Sequence, residues 1–323
     1  MVADKILKDQ LKTTLEKTNF KFGQKHEGKV RDSYVYEGKR MLICTDRLSA
    51  FDVVLTTIPF KGQILNQLSA FWFEKTAHLV PNHFLELPDP NVTIAKNCSP
   101  IPIEFIVRGY ITGVTKTSMW FNYNNGSREF CGHRLPEGLK KDQKLDYPLI
   151  TPTTKAEKGS HDELVSRKQI VERGIVDGDE FDSLAELSLK LFEAGTRHCA
   201  KNGVILVDTK YEFGRDQNGE LTLIDEIHTP DSSRFWYKDT YMELFKKAEE
   251  QRKIDKEYVR KWLSDKGFTG DGKAPKIPDE VRMETAKRYV EAYRKIVGKD
   301  FTEVTGDALP RIKQEMKKRG ING

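Results

Sequence analysis

Apolar residues recur at two periods along the chain, and the change between them divides it. Near the start, Ile6, Leu7, Leu11 and Leu15 fall at helical spacing and predict a short amphipathic helix. Beyond it the pattern tightens to strand-like runs, where Tyr34-Val35-Tyr36 and Met41-Leu42-Ile43-Cys44 flank Glu37-Gly38 in a hairpin signature, with Gly23 and Gly28 marking earlier turns. One helix over residues 65–80 interrupts a strand-rich first hundred residues. Prolines at 81, 88, 90, 100 and 102 predict a loop-rich passage before the strand-like IEFIVRGYI. A boundary between two lobes, residues 1–107 and 108–323, is expected there. The second part reads as helices at 162–174 and 179–200, the latter with Leu184, Leu187, Leu191 and Ala194 as its stripe, then strands VILVDTKYEF and LTLIDEIH, then helices. In the helix from residue 279, Ala286, Tyr289, Val290, Tyr293 and Val297 recur at three and four, and Asp279 after Pro278 is the expected N-cap. These C-terminal helices read as packing elements and carry no assigned site. A strand-rich lobe followed by a mixed α/β lobe makes the fold class α+β.

Composition narrows the function. With 37% hydrophobic and 32% charged residues in 323, the chain is an ordinary globular protein with material for a sizeable core. No apolar run approaches the roughly 20 residues that span a bilayer, and the N-terminal stretch lacks the pattern of a signal peptide. A cytoplasmic location without membrane partners is expected. Cys44, Cys98, Cys131 and Cys199 lie far apart, with no CxxC pair, and read as free thiols. The net charge of +5 is mild, and the basic residues are interleaved with acids, unlike the clustered stripe of a nucleic-acid binder. An anionic small molecule accounts for the excess equally well. GxSxG and HExxH are absent, which leaves nucleophilic hydrolase and zinc chemistry without support.

Residues 207–214 read VDTKYEFG, and as a strand they put Asp208, Lys210 and Glu212 on one side. Such a face is either solvated or functional. RDQNGE follows, and if Asn218-Gly219 are the two turn residues, Glu212 faces Asp225 across the ladder. Like charges directly opposite destabilise a hairpin unless a cation lies between them. Two carboxylates on facing strands suit Mg²⁺, usually completed by substrate phosphates, and Lys210 would meet those phosphates. The pattern leaves open a metal–phosphate site and a solvated hairpin; a bulge at Gly214 would remove the facing pair.

Other segments offer phosphate-binding chemistry. EGKVRDSY places Gly28 before Lys29 and Arg31, DRLSAFD carries Asp46, Arg47, Ser49 and Asp52, and residues 151–163 form a polar loop with Thr153, Lys155, His161 and Asp162. Arg108 follows an apolar strand pattern, and TPDSSRFW brings Asp231, Ser232, Ser233 and Arg234 directly after the acidic strand. Two arginines and small hydroxyls suit a phosphate monoester.

Taken together, PIPIEFIVRGYITG and LVDTKYEFG closely resemble the signature segments of the SAICAR synthetase family, and GKVRDSY, TDRLSAFDV, TPTTKAEKGSHDE and DEIHTPDSSRFW match it in order. The likeness runs from about residue 20 to 300. It implies a two-lobed architecture similar to protein kinases and ATP-grasp enzymes. It also implies an ATP-dependent ligase of purine biosynthesis that joins L-aspartate to carboxyaminoimidazole ribotide (CAIR). By resemblance, Gly28, Lys29 and Arg31 would hold ATP phosphates, and the Glu104 to Ile106 strand would form the adenine-side hinge. Lys210 would contact phosphates, while Glu212 and Asp225 would ligate Mg²⁺. Arg108 and Arg234, assisted by Ser233, would grip the ribotide phosphate. Asp208 would lie near the imidazole, with Lys155 and Asp162 near the ATP or aspartate end. Many members place Ser after the ITG-type segment, whereas Val114 stands here, so the hydroxyl must come from Thr115, Thr117 or Ser118, or be absent. A small-molecule kinase would share the nucleotide parts without needing aspartate, and a basic nucleotide- or RNA-binding protein would not need the paired acids.

Overall fold

The computed structural model describes residues 2–51, 53–154, 163–254, 257–270 and 272–321. Its first sheet comprises strands β1 (Gln24–Glu27), β2 (Arg31–Tyr36), β3 (Lys39–Cys44), β4 (Phe84–Asp89) and β5 (Val92–Lys96), in the order β1-β2-β3-β5-β4. The expected hairpin is present. Tyr36 pairs with Lys39, and Glu37 and Gly38 take the two positive φ values that a tight turn matching strand twist requires. Helix α1 (Lys61–Thr76) begins four residues earlier than its apolar pattern indicated and is buried along most of its length.

The proline-punctuated passage is not loop-rich. Pro88 lies in β4, an edge strand of the first sheet, and Pro100 and Pro102 lie in β6 (Ser99–Ile111). At that end of β6 the prolines take the exposed positions while Ile101, Ile103, Phe105 and Val107 alternate into the core, so the rings stay clear of the packed face. The boundary expected after residue 107 falls within this continuous strand.

The second sheet is built on β6 and β8 (Val204–Arg215), which run antiparallel; β7 (Gln143–Ile150) pairs with β6, and β9 (Leu221–Ile224) and β10 (Ser233–Tyr237) both pair with β8. Helix α2 (Gly178–Lys201), N-capped by the Asp177 carboxylate, packs Leu184, Leu191 and Phe192 into the main core. Of the helix expected over 162–174, the described part is a short strand at Glu163–Leu164 and a helix at Arg167–Glu172 opened by a Ser166–Gln169 capping box. Helix α3 (Asp279–Val297) is N-capped by Pro278, so Asp279 is its first residue and pairs with Arg282. A further helix, Ala308–Lys318, was not expected from the sequence. One hydrophobic cluster runs from Leu7 through α1, β6, β8 and α3 to Phe301. The described cysteines are free, and no described helix is long and apolar enough to cross a membrane.

Candidate active site

The acid–base–acid face of β8 is not solvated. Asp208 and Glu212 are each only 5% exposed. Across the sheet, Asp208 stands between Arg108 of β6 and Arg234 of β10, Lys210 stands beside Ile106, and Glu212 stands opposite Glu104. Directly opposed residues share a face. The sheet therefore sets two half-buried clusters side by side: an arginine–carboxylate–arginine row, and a group of acids around one lysine.

The expected Glu212–Asp225 register is off by one. Glu212 pairs with Ile224, because the loop uses three residues, Gln217 to Gly219, with Gly219 in the left-handed region. A one-residue slip sends side chains to the opposite face. Asp225 escapes that consequence because it lies past the end of β9 with φ of 68°, which turns its carboxylate back over the face. The carboxylate that does stand opposite Glu212 is Glu104.

Lys210 is the cation between them. Its Nζ donates to Glu104 at 2.8 Å and to Glu212, and lies 3.7 Å from Asp225. Burial alone would lower the Lys210 ammonium, but the fields of Glu212, Asp225 and Glu104 hold it well above the ordinary lysine value. Glu104 also accepts from Thr153 Oγ1 at 3.0 Å. Arg31 donates through Nη2 to the Asp225 carboxylate and through Nη1 to its carbonyl at 3.2 Å, which fixes the turned residue. Among the described residues no three His, Cys, Asp or Glu side chains close as a metal cage. The carboxylate oxygens of Glu212 and Asp225 are nevertheless the donor type that Mg²⁺ takes, and in this state Lys210 and Arg31 engage them.

Gly28 and Lys29 form the β1–β2 turn with their backbone held from behind. Arg47 donates to the carbonyls of Gly28 at 2.9 Å and Lys29 at 3.1 Å while ion-pairing with Asp32 at 2.7 Å. Burial would raise Asp32, but hydrogen bonds from Arg47 and Thr18 hold it below its usual range. Asp46 is equally structural, accepting the backbone amides of Leu15 and Gly62; burial pushes it up to about 6. The Ile106 carbonyl accepts the Thr151 amide at 2.8 Å. Lys155, His161 and Asp162, and also Asp52, lie outside the described residues.

The arginine row opens into a cleft of about 210 Å³ lined by Arg108, Thr117, Asp208, Lys210, Ser233 and Arg234 among others. Arg108 is buried, donating to Thr151 Oγ1 at 2.8 Å and the Thr117 carbonyl at 3.2 Å, and it lies 3.5 Å from Asp208. Arg234 reaches Asp208 at 3.1 Å. The Ser233 hydroxyl bonds Thr209 Oγ1 at 2.7 Å. Asp208, unexplained by the strand pattern alone, thus holds two guanidinium groups on opposite flanks. Of the three hydroxyls considered near the exposed Val114, Ser118 is buried and donates to the Thr115 carbonyl, Thr115 borders a neighbouring cavity of about 550 Å³, and Thr117 borders the cleft.

Several site-bordering residues carried no usable signal. Glu226 is buried, and burial pushes its carboxyl up against the opposing field of Arg31. Lys61 and Tyr289 both reach Asp231, and Arg260 lines both cavities from a helix assigned no site.

A family model described as SAICAR synthetase matches residues 24–277. The chain belongs to the SAICAR synthetase family. Among its relatives, the phosphoribosylaminoimidazole-succinocarboxamide synthase of Legionella pneumophila strain Paris is 48% identical over 288 residues, covering 89% of this chain and 92% of that one. The Bacteroides thetaiotaomicron enzyme of the same name is 46% identical over 310 residues, covering 94% and 97%. Among solved structures, SAICAR synthase from Saccharomyces cerevisiae complexed with SAICAR aligns with a TM-score of 0.78 at 33% identity, covering 90% of this chain and all of that one. A SAICAR synthetase in complex with ADP aligns at 0.65 with 25% identity, covering 87% and 100%. The expected α+β fold and the expected SAICAR-forming ligase of purine biosynthesis are both borne out, and the kinase alternative is not favoured.

Proposed function

We propose that the β8 face divides this ligation between its two clusters, the acids and Lys210 serving ATP and the arginine row serving CAIR. The observation that carries the reading is their adjacency on one strand: Lys210 sits two residues from Asp208 and borders the arginine cleft. ATP use is supported by the family and by the ADP complex of the related synthetase. The nucleotide would lie between the strand-rich part up to residue 107 and the remainder, with Gly28, Lys29 and Arg31 toward its phosphates and the Glu104 to Ile106 strand beside its base. Glu212 and Asp225 would hold Mg²⁺, with Glu104 keeping Lys210 in place. When bound, the ion neutralises charge on the phosphoryl group in transfer.

A carboxylate resists attack by an amine because its leaving group is poor. In the proposed sequence a CAIR carboxylate oxygen takes the γ-phosphoryl group of ATP, releasing ADP, and the aspartate amine then displaces phosphate from the acyl phosphate. No protein nucleophile is needed. The side chains position the reactants and meet negative charge. Arg108 and Arg234, with Thr117 and Ser233, would bind the ribotide phosphate, and Asp208 would keep the two guanidinium groups aimed into the cleft. Free cysteines support the cytoplasm as the proposed compartment.

Steady-state kinetics of Arg234→Ala test the division. A charged, bidentate phosphate contact predicts a CAIR KM raised about a hundredfold with the ATP KM within about twofold. A change confined to ATP would overturn it.

A further inference from the structure

We infer that Lys61 and Tyr289 are positioning residues for the ribotide cleft, acting through Asp231; the inference rests on the reading of that cleft given above. Lys61, at the first position of α1, is fully enclosed, and its Nζ donates to Asp231 Oδ2 at 2.7 Å. From the opposite end of the chain, the Tyr289 hydroxyl on α3 donates to Asp231 Oδ1 at 2.6 Å, and the Lys61 ammonium lies 5.6 Å from the centre of the Tyr289 ring. Both oxygens of a carboxylate in the cleft wall are thus held by two elements far apart in sequence.

Asp231 sits inside a tight turn. Thr229 Oγ1 accepts the amides of Asp231 at 3.2 Å and Ser232 at 3.3 Å, and the Thr229 carbonyl accepts the Ser233 amide at 2.9 Å. Strand β10 starts at Ser233, where Ser233 pairs with Thr209 and Arg234 with Asp208. A displacement of Asp231 therefore reaches Ser233 and Arg234 within three residues. An ion pair this deeply buried adds little net stability over apolar packing of the same volume, because desolvation offsets its attraction. What it adds is a fixed orientation, and the part it fixes is the turn that presents the phosphate-binding side chains.

Tyr289→Phe removes one hydroxyl and keeps the ring. Losing a hydrogen bond to a charged acceptor predicts a CAIR KM raised about tenfold, with the ATP KM within about twofold and a melting temperature lower by about 3–6 °C. Lys61→Met combined with Asp231→Asn removes both charges of the pair together and is expected to raise the CAIR KM to a similar degree. A CAIR KM unchanged in Tyr289→Phe, or KM values for all substrates shifting together with the melting temperature, overturns the positioning role. Arg234→Ala separates the two levels. If it impairs CAIR binding while Tyr289→Phe does not, only the positioning role fails; if Arg234→Ala itself leaves the CAIR KM unchanged, the assignment of the cleft fails and the inference with it.

Discussion

Replacing Lys210 by Met removes the single ammonium that Glu104, Glu212 and Asp225 share, and the structure sets the size of the response. Nζ lies 2.8 Å from Glu104 and 3.7 Å from Asp225 and also contacts Glu212, with the lysine side chain 26% exposed. Removing one partner of a buried ion pair costs about 3–5 kcal/mol, and partial exposure places this site near the lower bound, about 3 kcal/mol. At about 2 °C per kcal/mol for a chain of this length, the metal-free variant melts about 6 °C below the parent. Glu104 and Glu212 then lose the ammonium they share while Asp225 keeps Arg31, so Mg²⁺ becomes a better ligand of the variant than of the parent. At a hundred times its dissociation constant it returns about 2.7 kcal/mol, or about 5 °C. Differential scanning calorimetry with EDTA and with Mg²⁺, both without nucleotide, measures each number. An unchanged melting temperature in EDTA, or equal Mg²⁺ stabilisation of both proteins, refutes the claim that these carboxylates form one cation-seeking cluster.

Two further outcomes follow from the geometry. His228 is fully buried between Tyr211 and Trp72, and burial pushes its imidazole down to about 3. Because the folded value lies below the unfolded one of about 6.5, the stability tied to the neutral ring is complete above pH 6.5 and is lost as pH falls toward 3. The stability gap between parent and His228→Gln in urea titrations should therefore narrow by about 2 kcal/mol between pH 6.5 and 5, and a constant gap would contradict the assignment. Thr117→Val, at the threonine lining the arginine cleft, should raise the CAIR KM about fivefold and leave the ATP KM alone; no change would point to Thr115 instead.

Much of the fold and part of the site are legible in the sequence. Glu37-Gly38 specified its turn chemically, and the spacing within VDTKYEFG placed Asp208, Lys210 and Glu212 on one face. Facing carboxylates do have a cation between them, but it is Lys210 rather than an expected metal ion, and the carboxylate opposite Glu212 is Glu104 rather than Asp225. Glu104 faces Glu212 only because β6 lies beside β8, and sheet order is a tertiary fact that hairpin counting cannot supply. Asp225 arrives through a left-handed backbone turn that no side-chain pattern announces. The prolines misled because what decides their tolerance is the exposed side of β6 and the edge position of β4. Lys61 and Tyr289 were invisible for a related reason. One precedes the apolar pattern that marked its helix and the other sits in a core stripe, and only the folded chain brings both to Asp231.

The central claim is that Glu212 and Asp225 hold the metal of a nucleotide site beside the ribotide cleft. Its most direct test is the initial rate of ADP release as a function of Mg²⁺, at saturating ATP, CAIR and L-aspartate, for the parent, Glu212→Gln and Asp225→Asn. The account predicts turnover at least about a hundredfold lower in each variant, not restored by added Mg²⁺. Near-parental rates at saturating Mg²⁺ in either variant would contradict it.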